Sequence, residues 1–181
     1  MPADRAREAR FNEIFDRHFD AVRRYVWRRG PLLADDVAAE TFLVAWRRLD
    51  DVPVNALPWL IAVARNTLLN ERRRSRRQTA VSDRIATEPT HTTSASDSVA
   101  SELIDTVLAA MPERDREILL LSVWEDLDRE AIAQVFGCSK SNVSVRLHRA
   151  RRRFAEEMER QSPKADSQLL QTATFTGGLD A

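Results

Sequence analysis

The 181-residue chain contains one cysteine, Cys138. A lone thiol excludes an intrachain disulfide framework, a cysteine-based zinc site and a CxxC redox pair. Glycine is nearly as scarce, with four in the chain and none in a GxGxxG or P-loop spacing, so no phosphate-cradling loop is expected. No apolar run approaches about 18 residues, which argues against a transmembrane helix. The opening MPADRAREAR is charged and lacks the apolar core of a secretory signal, so a cytoplasmic protein is expected. Acidic neighbours such as Asp35 and Asp36 occur, but no nucleophile–base pair, metal cluster or cofactor loop accompanies them. The sequence therefore points away from an enzyme, a metal site or a cofactor. What remains is 43% apolar and 31% charged, enough to bury a core and too apolar for a wholly disordered chain.

The net charge is zero, from 28 basic and 28 acidic residues, but their distribution is uneven. Residues 1–80 carry 16 Lys and Arg against 11 Asp and Glu. Residues 65–77 hold six Arg and one Glu, and residues 140–153 hold one Lys, five Arg and no acid. Basic runs at the ends of helical segments suit a polyanion partner; by charge alone they suit a solvated helix face equally well.

Apolar spacing organises the chain into helices. Phe11, Phe15, Phe19, Val22 and Val26 recur at helical intervals, and Gly30-Pro31 interrupts the stripe. A second helix is expected from about Asp35 to Leu49, with Asp35 as its cap, Asp36 and Glu40 early and Arg47 and Arg48 late, as the helix dipole favours. A third begins near Pro58 and runs through Trp59, Ile61, Val63, Ala64 and Leu68 into the arginine run. Residues 79–101 then change character: ten of these 23 are Ser or Thr, as in a flexible tether. A second helical block follows, and after Gln161 a disordered tail is expected. No stretch alternates with a strand period. The predicted fold is all-α, two small helical domains joined by a flexible linker: 8–78, a linker at 79–100, 101–160, and a tail at 161–181.

The densest signal is DREAIAQVFGCSKSNVSVRLHRARRRF, residues 128–154. A first helix over Arg129–Phe136 is closed by Gly137, suited to a left-handed C-terminal position, and Ser139 can cap the next helix. Ala133, Gly137 and Val143 have helix-turn-helix spacing: a small residue at a crossing, a turn glycine, an apolar anchor. On the second helix Val143, Leu147, Ala150 and Phe154 face inward. Such a helix, polar early and arginine-rich later, can enter a major groove and hold the flanking phosphates. A plain helical hairpin with a charged face is the alternative, and the agreement of spacing, cap and charge favours DNA.

These residues resemble a known family. Residues 112–154, PERDREILLLSVWEDLDREAIAQVFGCSKSNVSVRLHRARRRF, look like region 4 of a bacterial RNA polymerase sigma factor. The segment LADDVAAETFLVAWRR is similar to region 2.2, and LPWLIAVARNTLLNERRR, residues 57–74, to regions 2.3 and 2.4. Two such blocks on a tether resemble the layout of the extracytoplasmic function (ECF) group. The resemblance implies binding to core RNA polymerase and to promoter DNA. It implies that Asp36, Ala39, Glu40 and Trp46 meet the β′ clamp helices, by charge steering and burial of apolar anchors. It implies that Asn55, Ala56, Asn66 and Asn70 read a melted −10 element and that Arg65, Arg73 and Arg74 hold phosphates. Trp59 could wedge at the melting edge or fill the core. It further implies that Lys140, Ser141, Ser144, Val145, Arg146, His148 and Arg149 face a −35 duplex, and that part of Ile118–Trp124 meets the β flap. An anti-sigma factor commonly restrains such factors; nothing in the sequence names one. Two departures bear on specificity. Ala39 stands where the family often has Gln, and Ser144 and Val145 stand where it usually has a basic residue and often Ser, so an unusual −35 sequence or weaker −35 dependence is expected.

A helix-turn-helix regulator acting without replacing a sigma factor would explain residues 101–157, but it leaves the acidic DDVAAETF helix and the WLIAVARN-arginine run without a role. A non-specific architectural DNA binder would instead show phosphate-dominated, strongly salt-dependent binding.

Overall fold

The computed structural model describes residues 2–79 and 98–174, with side-chain surroundings for 4–75, 77 and 102–161. Most of the predicted linker lies outside the described residues. Seven α-helices occur among those described: α1 (Pro2–Trp27), α2 (Ala34–Arg47), α3 (Ala56–Thr79), α4 (Ser98–Ala110), α5 (Glu113–Val123), α6 (Arg129–Phe136) and α7 (Lys140–Thr174). Single 3₁₀ turns at Pro31–Leu33 and Leu49–Asp51 close the α1–α2 and α2–α3 connections. The all-α expectation holds. The described residues resolve into two compact units, one of 2–79 with 127–138, the other of 98–126 with 139–174.

In the first unit α1, α2 and α3 pack pairwise, and α6 lies against α3. The apolar stripes meet as their spacing requires. Val22, Tyr25 and Val26 of α1, Val37, Ala38, Phe42 and Ala45 of α2, and Leu60, Ile61, Ala64 and Leu68 of α3 are all buried. At full burial each large aliphatic side chain contributes about 1.5–3 kcal/mol. Phe15 stacks on Phe19 at 4.8 Å between ring centroids and meets Phe42 edge-on at 4.9 Å. Thr41, buried among these groups, donates its hydroxyl to the Val37 carbonyl at 2.7 Å, which satisfies that buried hydroxyl within its own helix. Arg10 donates to the Val52 carbonyl at 2.6 Å and fixes the turn leading into α3 to the first helix.

α6 is short and depends on its ends. The Asp128 carboxylate accepts from the Ala131 N–H at 2.7 Å, and Gly137, at φ 61°, turns the chain left-handed. The Gly137 and Cys138 N–H groups then return to the Gln134 and Ala133 carbonyls at 3.3 and 3.0 Å. Ala131, Ile132, Ala133 and Val135 are buried, and the Arg65 guanidinium of α3 sits 5.0 Å from the Phe136 ring centroid.

In the second unit α7 packs against α4 and α5. Val107, Leu108, Ile118, Leu121, Val143, Leu147 and Ala150 are buried; of the four α7 residues whose spacing predicts an inward position, Phe154 is only half-buried. Asp115 accepts from Arg153 and ties α5 to α7.

Three local expectations need correction. Asp35 does not cap α2. The N-cap is Leu33, without a side-chain bond, and Asp35 lies inside the helix, accepting from Arg23 Nε at 2.6 Å. The third helix starts at Ala56, two residues before Pro58. The tail is expected to be disordered from 161, yet helical backbone continues to Thr174. Ala165, Gln168, Leu169, Leu170 and Gln171 are good helix formers and favour that continuation.

Candidate interface surfaces

Three surfaces follow from which helix faces the cores leave uncovered. The first is on α2. Its inward residues Val37, Ala38, Thr41, Phe42 and Ala45 are buried, so Asp36, Ala39, Glu40 and Leu43, at i, i+3, i+4 and i+7, share the exposed face. Trp46 continues the stripe at 36% exposure, held from beneath. Phe11 meets it edge-on at 5.2 Å, and Arg7 lies 5.3 Å from its ring and donates to its carbonyl at 2.8 Å. The result is two carboxylates beside a pre-positioned, half-exposed indole, which suits a basic partner offering an apolar pocket. Leu43, 41% exposed, is a member that the sequence reading missed; its spacing from Ala39 and Glu40 was the available signal.

The second surface is the loop before α3 and the outer face of that helix. Asn55 is exposed, as expected, and Val54 beside it is fully exposed. Ala56 departs from its predicted place: at 2% exposure its methyl belongs to the core, because it opens α3 rather than lying in the loop. Trp59 is half-buried, with the Arg48 guanidinium 6.0 Å from its ring, so it is neither plain core nor a free wedge. Asn66, Asn70 and Arg73 are exposed at i, i+4 and i+7, and Arg77 extends the stripe one turn further. Arg74 is exposed and stands 4.0 Å from Glu71. Arg65 is set apart from this stripe, since its guanidinium lies over Phe136.

The third surface is the N-terminal half of α7. Ser139 Oγ accepts from the Asn142 N–H at 3.2 Å and caps the helix, as the sequence indicates. With Val143, Leu147 and Ala150 buried, the opposite face presents Ser141, Val145, His148, Arg149 and Arg152, all exposed, with Lys140 at its start. Two of the predicted group stand aside. Arg146 is half-buried, and Ser144, also half-buried, donates its hydroxyl to the Lys140 carbonyl at 3.1 Å. Of the arginines after 150, Arg153 is paired with Asp115 and Arg152 with Glu156 at 3.1 Å.

No group of three or more His, Cys, Asp or Glu among the described residues is placed to hold a metal ion. No helix among them is long and apolar enough to cross a membrane.

Comparison with known proteins bears on these surfaces. Residues 14–78 match the Sigma-70 region 2 family and residues 101–154 match Sigma-70, region 4. The ECF RNA polymerase sigma factor SigL of Mycobacterium tuberculosis is 30% identical over 153 residues, covering 80% of this chain and 86% of that protein. The chain belongs to the sigma-70 family, in its ECF group. A probable RNA polymerase sigma factor of Xanthomonas campestris, RfaY, is 32% identical over 147 residues; they cover 72% of this sigma factor but only 35% of that protein. SigM of Bacillus subtilis is 24% identical, covering 79% and 91%. Among solved structures, the sigma factor RpoE of Bartonella quintana, in complex with the anti-sigma factor NepR, shares the fold at a TM-score of 0.68 and 23% identity, covering 82% of this chain and 96% of that one. CnrH, in complex with the cytosolic domain of CnrY, matches at 0.56 and 25%, covering 82% and 87%. Regions 2 and 4 mark this sigma factor as a promoter-recognition subunit for transcription initiation by RNA polymerase.

Proposed function

We propose a division of that task among the three surfaces. The α2 stripe of Asp36, Ala39, Glu40, Leu43 and Trp46 docks the β′ clamp helices of core polymerase. Its carboxylates steer the encounter, and Trp46, held by Phe11 and Arg7, is the anchor that loses little freedom on binding. The Asn55 loop and the Asn66, Asn70 and Arg73 face of α3 take the −10 element as it melts. Amide side chains pair with an unstacked base edge, while Arg73, Arg74 and Arg77 hold the strand, repaying an unstacking cost of a few kcal/mol. The α7 face of Lys140, Ser141, Val145, His148 and Arg149 enters the major groove at the −35 element. The exposed end of α5 at Val123, in the Ile118–Trp124 segment, meets the β flap. In this reading residues 8–78 and 101–160 are the two working domains, the catalytic steps belong to the polymerase, and the protein acts in the cytoplasm. RpoE of Bartonella quintana was crystallised with the anti-sigma factor NepR, which supports a partner of that kind here.

The observation that carries this reading is the order of the surfaces along the chain. An acidic-apolar helix, an amide-arginine helix and a capped groove helix each keep an uncovered face within one chain that matches both regions. The test is reconstituted run-off transcription. The chain with core polymerase should initiate at a discrete subset of promoters, while the chain alone binds promoter DNA weakly. Tight, specific duplex binding without polymerase, or initiation without start-site preference, overturns it.

A further inference from the structure

Over residues 140–153 the exposed face of α7 is polar with one exception. Val145, 51% exposed, stands between Ser141 one turn before it and Arg149 one turn after, with His148 and Arg152 alongside. A single exposed valine is ordinary on a protein surface, but this one occupies the centre of the only face of the helix that the second unit's core leaves uncovered. It is also the sixth residue of a helix whose cap is fixed by Ser139, within the stretch that meets base edges when such a helix lies in a major groove. Ser144, the adjacent polar candidate, is turned away: its hydroxyl proton is given to the Lys140 carbonyl. Two methyl groups are thus presented where a hydrogen-bonding side chain could have been, and they can neither donate nor accept.

Only one base-edge feature of the major groove rewards such a group, the 5-methyl of a pyrimidine. We propose that Val145 reads a pyrimidine 5-methyl group in the −35 duplex, that of thymine or of 5-methylcytosine, and thereby sets a methyl-dependent position in promoter choice. The inference rests on α7 being the −35 reader. Ser141 and Arg149 flank the contact by four residues each, about 6 Å along the helix, or between one and two base-pair steps, so polar readout or phosphate contact is expected on both sides of the apolar position. Desolvating one methyl corresponds to about a fourfold change in affinity.

The test uses the holoenzyme, the full chain with core RNA polymerase, and double-stranded promoter fragments in which the −35 segment is randomised. Selected fragments are rebuilt with deoxyuridine for each thymine, which removes only the methyl, and with 5-methylcytosine for each cytosine, which only adds it. With wild-type chain, one position should lose about fourfold in affinity on deoxyuridine substitution, or gain about fourfold on cytosine methylation. The first outcome names thymine as the source, the second 5-methylcytosine. In Val145→Ser the same substitutions should leave affinity unchanged, and in Val145→Ala, which keeps one methyl, their effect should shrink, while selection at flanking positions persists. Because the side chain is exposed, both variants should keep the wild-type helical signal. A −35 preference that no methyl change alters, or a methyl effect that survives in both variants, overturns the inference and leaves the −35 assignment of α7 intact. Absence of any −35 preference in the selected pool overturns both.

Discussion

Asp35 and Asp36 are neighbours in sequence with the same charge, both exposed, and the structure gives them different surroundings. Asp35 pairs with Arg23 of α1 at 2.6 Å; Asp36 lies on the outer stripe with Ala39, Glu40 and Leu43. Reversal of either charge disturbs the first turn of α2, where the dipole favours an acid by about 0.3–1 kcal/mol, so each reversal costs about 1–2 kcal/mol of stability. Asp35→Arg also loses an exposed ion pair worth about 0.2–1 kcal/mol and sets two cations together. On stability grounds, Asp35→Arg is the more damaging change. Docking reverses the order. A cation placed against a basic partner costs several kcal/mol, and about 3 kcal/mol corresponds to roughly a 100-fold loss of affinity. Asp36→Arg should therefore lose core polymerase by about 100-fold or more while melting only a few degrees low, and Asp35→Arg should melt lower yet retain most of its binding. Competition for fluorescently labelled core polymerase gives the affinities, and a thermal melt by circular dichroism gives the stabilities. Equal affinity loss in the two variants, or unchanged binding in Asp36→Arg, would refute the assignment of the stripe.

Two further expectations test local features. Gly137 adopts φ 61° in open space, with no atom within 4 Å of the place a β-methyl group would take, so Gly137→Ala should cost only the left-handed penalty of about 1–2 kcal/mol, read as a lowered melting temperature; a much larger loss would mean that the turn is tighter than described. His18 is held below its ordinary value near 6.5, first by burial and then by the charge of Arg17. The unfolded chain therefore binds the proton more readily, so stability should fall as pH drops through about 6.5 towards the folded-state value and level off below it. His18→Gln should flatten that part of the denaturation-versus-pH profile; an identical profile would remove His18 as its source.

What could be read in advance was whatever local spacing controls. Arg129–Phe136 was legible because Gly137 marks its end; the Asp128 cap at its start is a signal the sequence reading passed over. The inward set Val143, Leu147 and Ala150 and the phenylalanine stripe of α1 were legible because apolar periodicity is a direct record of burial. Less legible were features made by partners distant in sequence. The pairing of Asp35 with Arg23 exists only once α1 and α2 are packed, and so the aspartate reads locally as a cap. Ala56 follows a loop-like VPVN run and reads as exposed, but the helix begins there and draws its methyl inward. The hydroxyl of Ser144 reads as a free base reader until its bond to the Lys140 carbonyl is seen, a habit of serine within helices that spacing does not record. Arg65 belongs by composition to the phosphate-holding run; the Phe136 ring that occupies it is supplied from elsewhere in the chain.

The residence of α6 in the first unit has a practical meaning for anyone cutting or splicing such a chain. The homology limits of region 4 enclose this helix, in which Ile132 is wholly buried, whereas the helix itself packs against α3. Scissors guided by homology alone would strip a neighbour from both fragments, and hybrids assembled from different relatives would join unmatched surfaces along that seam. Residues 127–138 are best inherited together with the α3 against which they have settled.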